Sequence, residues 1–484
     1  FKLNIIIMQF SEYFELEKTQ YELEFVDIEL DQDIPLFIDP YAFTQANDEW
    51  SILCNNLIID FSSLLITNIK NNNFEEAKKM LLNLREPKET RLGLSNKGFQ
   101  GNGIGSIQAD ILYEKLKQSK AISTGNVTDL ADCELMIKGI GFDKISDITT
   151  NIIRNYLIEY TQNQCYLHSI KMQEYPLGPI WDENNKKWNN GGFYKLPIFN
   201  DNPILLVPKY IVVKHPFLSA SDFYNHKILP FLQAWHLNAG SSLVHTLKSG
   251  ERKVYKRDLR NKPEYRMSKE FIYEFCSRNP DLLKEYKEEK KKAKFHIYDY
   301  SCEEEEKNIA ESLIKKLNMI PSGAQSATMF HNYCIGVLEF LLYPHLKNPK
   351  KEHEINEGRK RIDITFYNSS QQGIFYDLKI SPKTQSNFVM IECKNYSHDL
   401  KNPEFDQISG RFSNSLGWFG ILVGRSFINK GAVIKTCIDT VKAGRGIILP
   451  LCDEDIIHML EFIQEGNRNE VDIYLKKIYS VVMS

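Results

Sequence analysis

The sequence predicts an α/β protein, with a C-terminal mixed sheet flanked by helices and a larger α+β N-terminal part. Three observations lead there. Beyond residue 303, apolar runs of strand length alternate with stretches of helical spacing, the pattern of a sheet covered by helices. The length, 484 residues, exceeds one typical domain. The character of the chain also changes twice. Aromatic and turn residues crowd the stretch after about residue 180, and basic residues dominate from Lys248 to Lys294. An N-terminal domain is therefore expected over 1–295, with a further break near 170–190, and a second domain over 303–484.

Each element has its own warrant. Residues 20–40 alternate apolar and acidic, through Tyr21, Leu23, Phe25, Val26, Ile28 and Leu30, which predicts a strand with one wet face. Leu57 to Ile69 and Phe74 to Leu84 have helical spacing, and Glu75 and Glu76 favour a helix start in the second. A glycine-rich loop, Gly98 to Gly105, precedes an amphipathic helix over about 107–117, and Ile145 to Tyr160 reads as one more helix. Trp188 to Tyr194 has turn chemistry between aromatic flanks, followed by strands at Pro203–Val207 and Tyr210–Val213.

In the C-terminal part, Glu303 to Glu306 place negative charge at the start of a helix reaching Leu317. A helix with Tyr333, Leu338 and Glu339 follows, then a strand Arg361–Phe366, a turn at Asn368–Ser370 and a strand near Gly373–Leu378. The strand Phe388–Cys393, a helix over 404–413, the strand Trp418–Val423, a helix over 432–441, a strand over 446–449 and a helix from Asp453 complete the order.

Composition narrows the function classes. With 60 basic residues against 63 acidic ones the formal charge is −3, so contact with a polyanion has to come from a local basic patch. The nine cysteines form no C-x-x-C pair and are odd in number, which argues against a disulfide framework or a zinc site and for a reducing compartment. No apolar run reads as long enough to span a bilayer, and Phe1 to Phe10 lack the basic start and cleavage site of a signal peptide. Met8 is a natural start, and the expected location is the cytoplasm, with no membrane partner.

The chemistry concentrates in two short segments, Arg361-Ile362-Asp363-Ile364 and Ile391-Glu392-Cys393-Lys394. Period-2 geometry puts Glu392 and Lys394 on one face of a strand and turns Cys393 to the core. Two carboxylates and a lysine at a sheet edge suit metal-assisted phosphodiester hydrolysis. Carboxylate, water and phosphate oxygens favour Mg²⁺ or Mn²⁺ over zinc, and an ammonium stabilises charge on phosphate or water. Asp377-Leu378-Lys379 offers a competing D-x-K, but the run into Glu392 is the more continuous apolar strand. The bland alternative is a chance surface cluster of charges.

These segments and their element order resemble the PD-(D/E)xK nuclease superfamily, the restriction-endonuclease-like fold, over roughly residues 303–484. The resemblance implies a metal-dependent endonuclease. Asp363 and Glu392 are then metal ligands, Glu339 is an accessory ligand, Lys394 assists the attacking water or the scissile phosphate, and Gln407 is an auxiliary residue near the metal or the nucleic acid. The long gap between Asp363 and Glu392 departs from the family and reads as an inserted hairpin. The architecture further implies DNA rather than RNA as substrate, a bacterial restriction or anti-phage setting, and a homodimer or a partner subunit of a defence complex. The competing expectation is a nucleic-acid-binding scaffold with a nuclease fold that no longer cuts, or a nuclease directed at RNA.

Weaker motifs remain. The Gly98–Gly105 loop lacks the Gly-Lys-Ser/Thr ending of a phosphate-binding P-loop and reads as a turn. Lys138-Gly139-Ile140-Gly141-Phe142 faintly resembles a DNA-binding hairpin between helices, and a plain turn is the simpler account. The basic stretch with Arg252, Lys253, Lys256, Arg257, Arg260 and Arg266, with Tyr255 and Tyr265, suits nucleic acid and equally a solvated face.

Overall fold

The computed structural model describes residues 8–94, 106–123, 130–292, 303–355 and 360–484. They fall into two compact units: 28–159 with 173–292, and 8–27 with 160–172 and 303–484. The Gly98–Gly105 loop lies outside the described residues.

The first unit is mainly helical, with two-stranded ribbons. Its longest helix, Glu49–Lys70, is capped by Asp48, whose side chain accepts from the Ser51 amide. By length and composition this helix could cross a membrane, contrary to the expectation that no apolar run is long enough. Here Cys54, Leu57, Ile58, Phe61, Leu65 and Ile69 are buried among neighbouring elements, with Phe61 edge-on to Trp181 at 4.7 Å. The helix expected over Ile145–Tyr160 is two, Phe142–Ile152 and Arg154–Leu167.

The strands expected over 20–40 and 203–213 shrink to Phe37–Ile38 paired with Val212–Val213, plus Asn202–Pro203. Residues 20–22 form a 3₁₀ turn instead. Leu23, Phe25, Ile204 and Leu206 are buried, but so are Glu22, Glu24 and Leu205 between or beside them, so the expected wet face is absent. Their backbones, however, are satisfied locally: the Asp27 amide donates to Gln20 Oε1 and the Ile204 amide to the Pro197 carbonyl, so no ladder forms.

The second unit is a five-stranded mixed sheet wrapped by helices, as the sequence predicts. Its elements are α1 (Glu303–Met319), α2 (Ala327–Leu342), β1 (Leu346–Ile355), β2 (Lys360–Asn368), α3 (Gly373–Ile380), β3 (Phe388–Cys393), α4 (Asn402–Ser409), β4 (Phe419–Val423), α5 (Lys430–Lys442), β5 (Ile447–Leu451), α6 (Asp453–Gln464) and α7 (Glu470–Val482). The strands lie in chain order, antiparallel from β1 to β3 and parallel from β3 to β5. Every residue of β4 and β5 is buried, because α-helical crossovers cover both faces of the parallel half.

The strand expected at Gly373–Leu378 is the helix α3. Ile374, Phe375 and Leu378 are buried at i, i+1 and i+4, a helical stripe too short to distinguish from a strand by sequence. Asp472 Oδ1 accepts from the Ile374 amide at 2.7 Å and closes the helix start, and Asn368 Nδ2 donates to the Phe375 carbonyl at 2.7 Å. The insertion between Asp363 and Glu392 therefore contains this helix and is not the expected hairpin.

Two further segments belong to this unit. From residues 8–27, Phe10, Leu23 and Phe25 are buried, Lys18 Nζ donates to the Asn332 carbonyl at 2.7 Å, and Tyr21 meets Phe340 edge-on at 6.1 Å. From residues 160–172, Gln164 donates to Glu24, which also accepts from the Asn348 amide. The sequence reading had placed both segments within the 1–295 domain.

Candidate active site

The site grows from the ends of two neighbouring strands. β2 and β3 pair antiparallel with Ile364 opposite Ile391, which puts Asp363 and Glu392 one step further along, where the strands separate. The Cys393 amide donates to Asp363 Oδ2 at 2.9 Å and fixes that carboxylate against β3. Cys393 itself packs against the apolar core, and the Lys394 amide continues the ladder to the Val423 carbonyl at 2.8 Å.

Glu392 is fully buried. Lys394 Nζ donates to its Oε1 at 2.6 Å, and Arg411 Nη1 donates to its Oε2. Lys394 also donates to Gln407 Oε1 at 3.1 Å. Gln407 sits on the outer side of α4, whose inner side buries Phe405 and Ile408. Gly420 on β4 allows that approach, since a Cβ there would lie 2.8 Å from Ile408 Cδ1.

The electrostatics follow from this packing. Burial, and next the nearby Asp363 carboxylate, push the Glu392 pKa up, opposed by Lys394 and Arg411. Burial alone would lower the Lys394 pKa, but the carboxylates of Glu392 and Asp363 outweigh it and the net shift is upward. The ammonium is thereby held charged at neutral pH.

A second polar node lies one residue beyond. Asn395 donates to the carbonyls of Pro321 and Gly323 and accepts from Arg425 Nη1 at 2.8 Å, while Arg425 Nε donates to Asp453 Oδ2 at 2.8 Å. Burial raises the Asp453 pKa to about 6 in spite of Arg425. The node pins the loops after β3, β4 and β5 together.

Asp363, Glu392, Lys394 and Gln407 are thus brought together, and the structure adds Arg411, which the sequence reading missed. The available signal was the i, i+4 spacing from Gln407, and the helix ends between the two. Glu339 is buried on α2, and its charge is felt by Lys18. Among the described residues no group of three or more His, Cys, Asp or Glu side chains is placed to hold a metal ion. The competing Asp377 and Lys379 lie on α3, where Lys379 donates to the Asn368 carbonyl at 3.0 Å. The Lys138–Phe142 motif is a turn with Gly139 at φ +75°, and Lys269 donates to its Ile140 carbonyl at 2.8 Å.

A family model described as a domain of unknown function, DUF8370, matches residues 15–219. No curated protein matches the chain. Among solved structures, the restriction endonuclease FokI bound to DNA is similar at 12% identity over 89% of this chain and 75% of that one, with a TM-score of 0.24. A superposition that loose carries no argument about fold or activity.

Proposed function

We propose that the chain is a metal-dependent nuclease that hydrolyses phosphodiester bonds of DNA, with its first unit serving recognition or regulation in bacterial restriction or anti-phage defence. The observation that supports it is the junction of Asp363, Glu392, Lys394 and Gln407 where β2 and β3 part. A coincidental surface cluster would place these groups in water, whereas Glu392 is buried and Lys394 is nearly so.

The donor set suits a hard cation: carboxylate oxygens of Asp363 and Glu392, with no thiolate or imidazole among them. A bound Mg²⁺ or Mn²⁺ would neutralise the scissile phosphate and acidify a coordinated water. Asp363 and Glu392 would hold that cation through their carboxylate oxygens. Lys394, kept protonated by its acidic neighbours, then faces the charge that develops on the phosphoryl oxygens, and Gln407 holds the direction of its ammonium. A homodimer accounts for cutting both strands, since each site breaks one.

The test is cleavage of supercoiled DNA by the full chain with Mg²⁺. The parent is expected to nick it, and Asp363→Ala and Lys394→Ala are expected to lose activity by on the order of 10²–10⁴-fold. Variants that cut as fast as the parent overturn the site. An RNA panel cut in preference to DNA overturns the substrate.

One observation favours a second reading. Both Glu392 oxygens are engaged by cations of the chain itself, as in a site that has closed over and binds nucleic acid without cutting. Binding that persists with no Mg²⁺-dependent cleavage in any substrate supports that scaffold.

A further inference from the structure

In the first unit, a short helical and hairpin module presents positive charge on a fixed base. Between Lys248 and Arg266 stand eight basic residues and three acidic ones, in a chain whose formal charge is −3. The module consists of the helix Leu229–Asn238, the antiparallel pair His245–Thr246 and Arg252–Lys253, and the short helix Lys256–Arg260.

Its underside is fastened. Val254 and Leu259 are buried, and Gln233 Nε2 donates to the Val254 carbonyl. Lys256 Nζ and Arg260 Nη2 both bond Asn225 at 2.7 Å, and the Tyr224 hydroxyl donates to the Tyr265 carbonyl at 2.8 Å. His236 is wedged between Ser241 Oγ at 2.8 Å and the Tyr265 hydroxyl at 3.0 Å.

Its outer side is cationic and aromatic. Arg252 and Lys253 are exposed, and the Arg257 side chain is 84% exposed with a loose 3.6 Å contact to Asp258. That aspartate is already bound by His245 Nε2 at 2.7 Å. Lys248, Arg252, Lys262 and Arg266 make no ion pair with any described residue. Trp235 is 53% exposed, and Lys253 lies 5.8 Å from the Tyr255 ring centroid. A solvated face needs no rigid base and no exposed ring beside its charges, as Tyr255 is beside Lys253. A repeating polyanion with stackable bases matches both the charge and the rings.

We propose that Arg252, Lys253, Tyr255 and Arg257 form a surface that binds the sugar–phosphate backbone of DNA. The choice of DNA as the polymer rests on the nuclease reading; the surface itself does not.

The probe is a labelled DNA duplex and its single strand, titrated by anisotropy without divalent metal onto the full chain carrying Asp363→Ala. Adding Arg252→Ala, Lys253→Ala and Arg257→Ala together is expected to weaken binding roughly tenfold or more at about 0.15 M salt. The slope of log K against log salt should become shallower by about one per lost contact. Thermal stability should stay at the parent's value, since all three side chains are exposed. Tyr255→Ala should weaken the single strand more than the duplex. A triple variant with parental affinity and parental salt slope overturns the proposal, as does a parent that binds anionic vesicles but no DNA. If DNA binds here and nothing is cut, only the nuclease reading fails. If DNA is cut while the triple variant binds undiminished, only this surface fails.

Discussion

Glu392 is the residue where opposing forces meet. Its carboxylate is buried between Lys394 and Arg411, with Asp363 on the adjoining strand. Removing one cation leaves a buried charge short of a partner, which costs more than the ion pair contributes net. Arg411→Met is therefore expected to destabilise the protein by about 3 kcal/mol in urea unfolding. The double variant with Glu392→Gln should recover a good part of that loss; a double variant as unstable as the sum of the singles would show that Arg411 acts through some other contact. Asp363, Glu392 and Lys394 were legible in the sequence because charged groups at the end of an apolar strand stand out. Arg411 was not, because its contact with Glu392 depends on how α4 docks, and docking leaves no local mark. Glu339 was legible only as a helix acid, and its burial gave no sequence signal.

At the scale of elements, the placing of Gln407 depends on a strand it does not belong to. A Cβ on Gly420 would lie 2.8 Å from Ile408 and 2.9 Å from the Met390 carbonyl, so α4 sits down on β4 only because that side chain is missing. Gly420→Ala is expected to cost about 1–3 kcal/mol, read as a lower unfolding midpoint, and to slow cleavage as Gln407 moves off Lys394. An alanine variant with unchanged midpoint and rate would mean that α4 has slack. The parallel strands were readable from their continuous apolar runs and their order. The helix α3 was not, since a short apolar stripe fits either period and the deciding contact comes from Asp472, distant in sequence. Residues 20–40 failed for another reason: Glu22 and Glu24 are buried beside the apolar positions, and side chains such as Gln20 take the hydrogen bonds a partner strand would have supplied.

At the scale of the whole molecule, the unit that holds the candidate site is assembled from three stretches of chain. A fragment of residues 303–484 lacks Leu167 from its core and Tyr21 packed against it, and with them Lys18 on Asn332 and the Tyr21–Phe340 ring contact. Expressed alone, that fragment is expected to bind a hydrophobic dye and to lose the cooperative unfolding of the full chain. A sharp parental transition in the fragment would show that the N-terminal segment is dispensable. Composition and hydropathy cannot reveal such an addition, because the partners are far apart and neither segment announces its destination.

The bond between Glu24 and the Asn348 amide spans 324 residues of sequence. A ribosome adds roughly 5–20 residues per second, so the first stretch waits on the order of 15–65 s before its seat exists. Helix α7, with Val471, Leu475 and Val482 in the core, is made later still. During all that time a nascent chain displays apolar side chains with nowhere to go, a natural client for chaperones. The unit reaches its finished form only once α7 has left the ribosome.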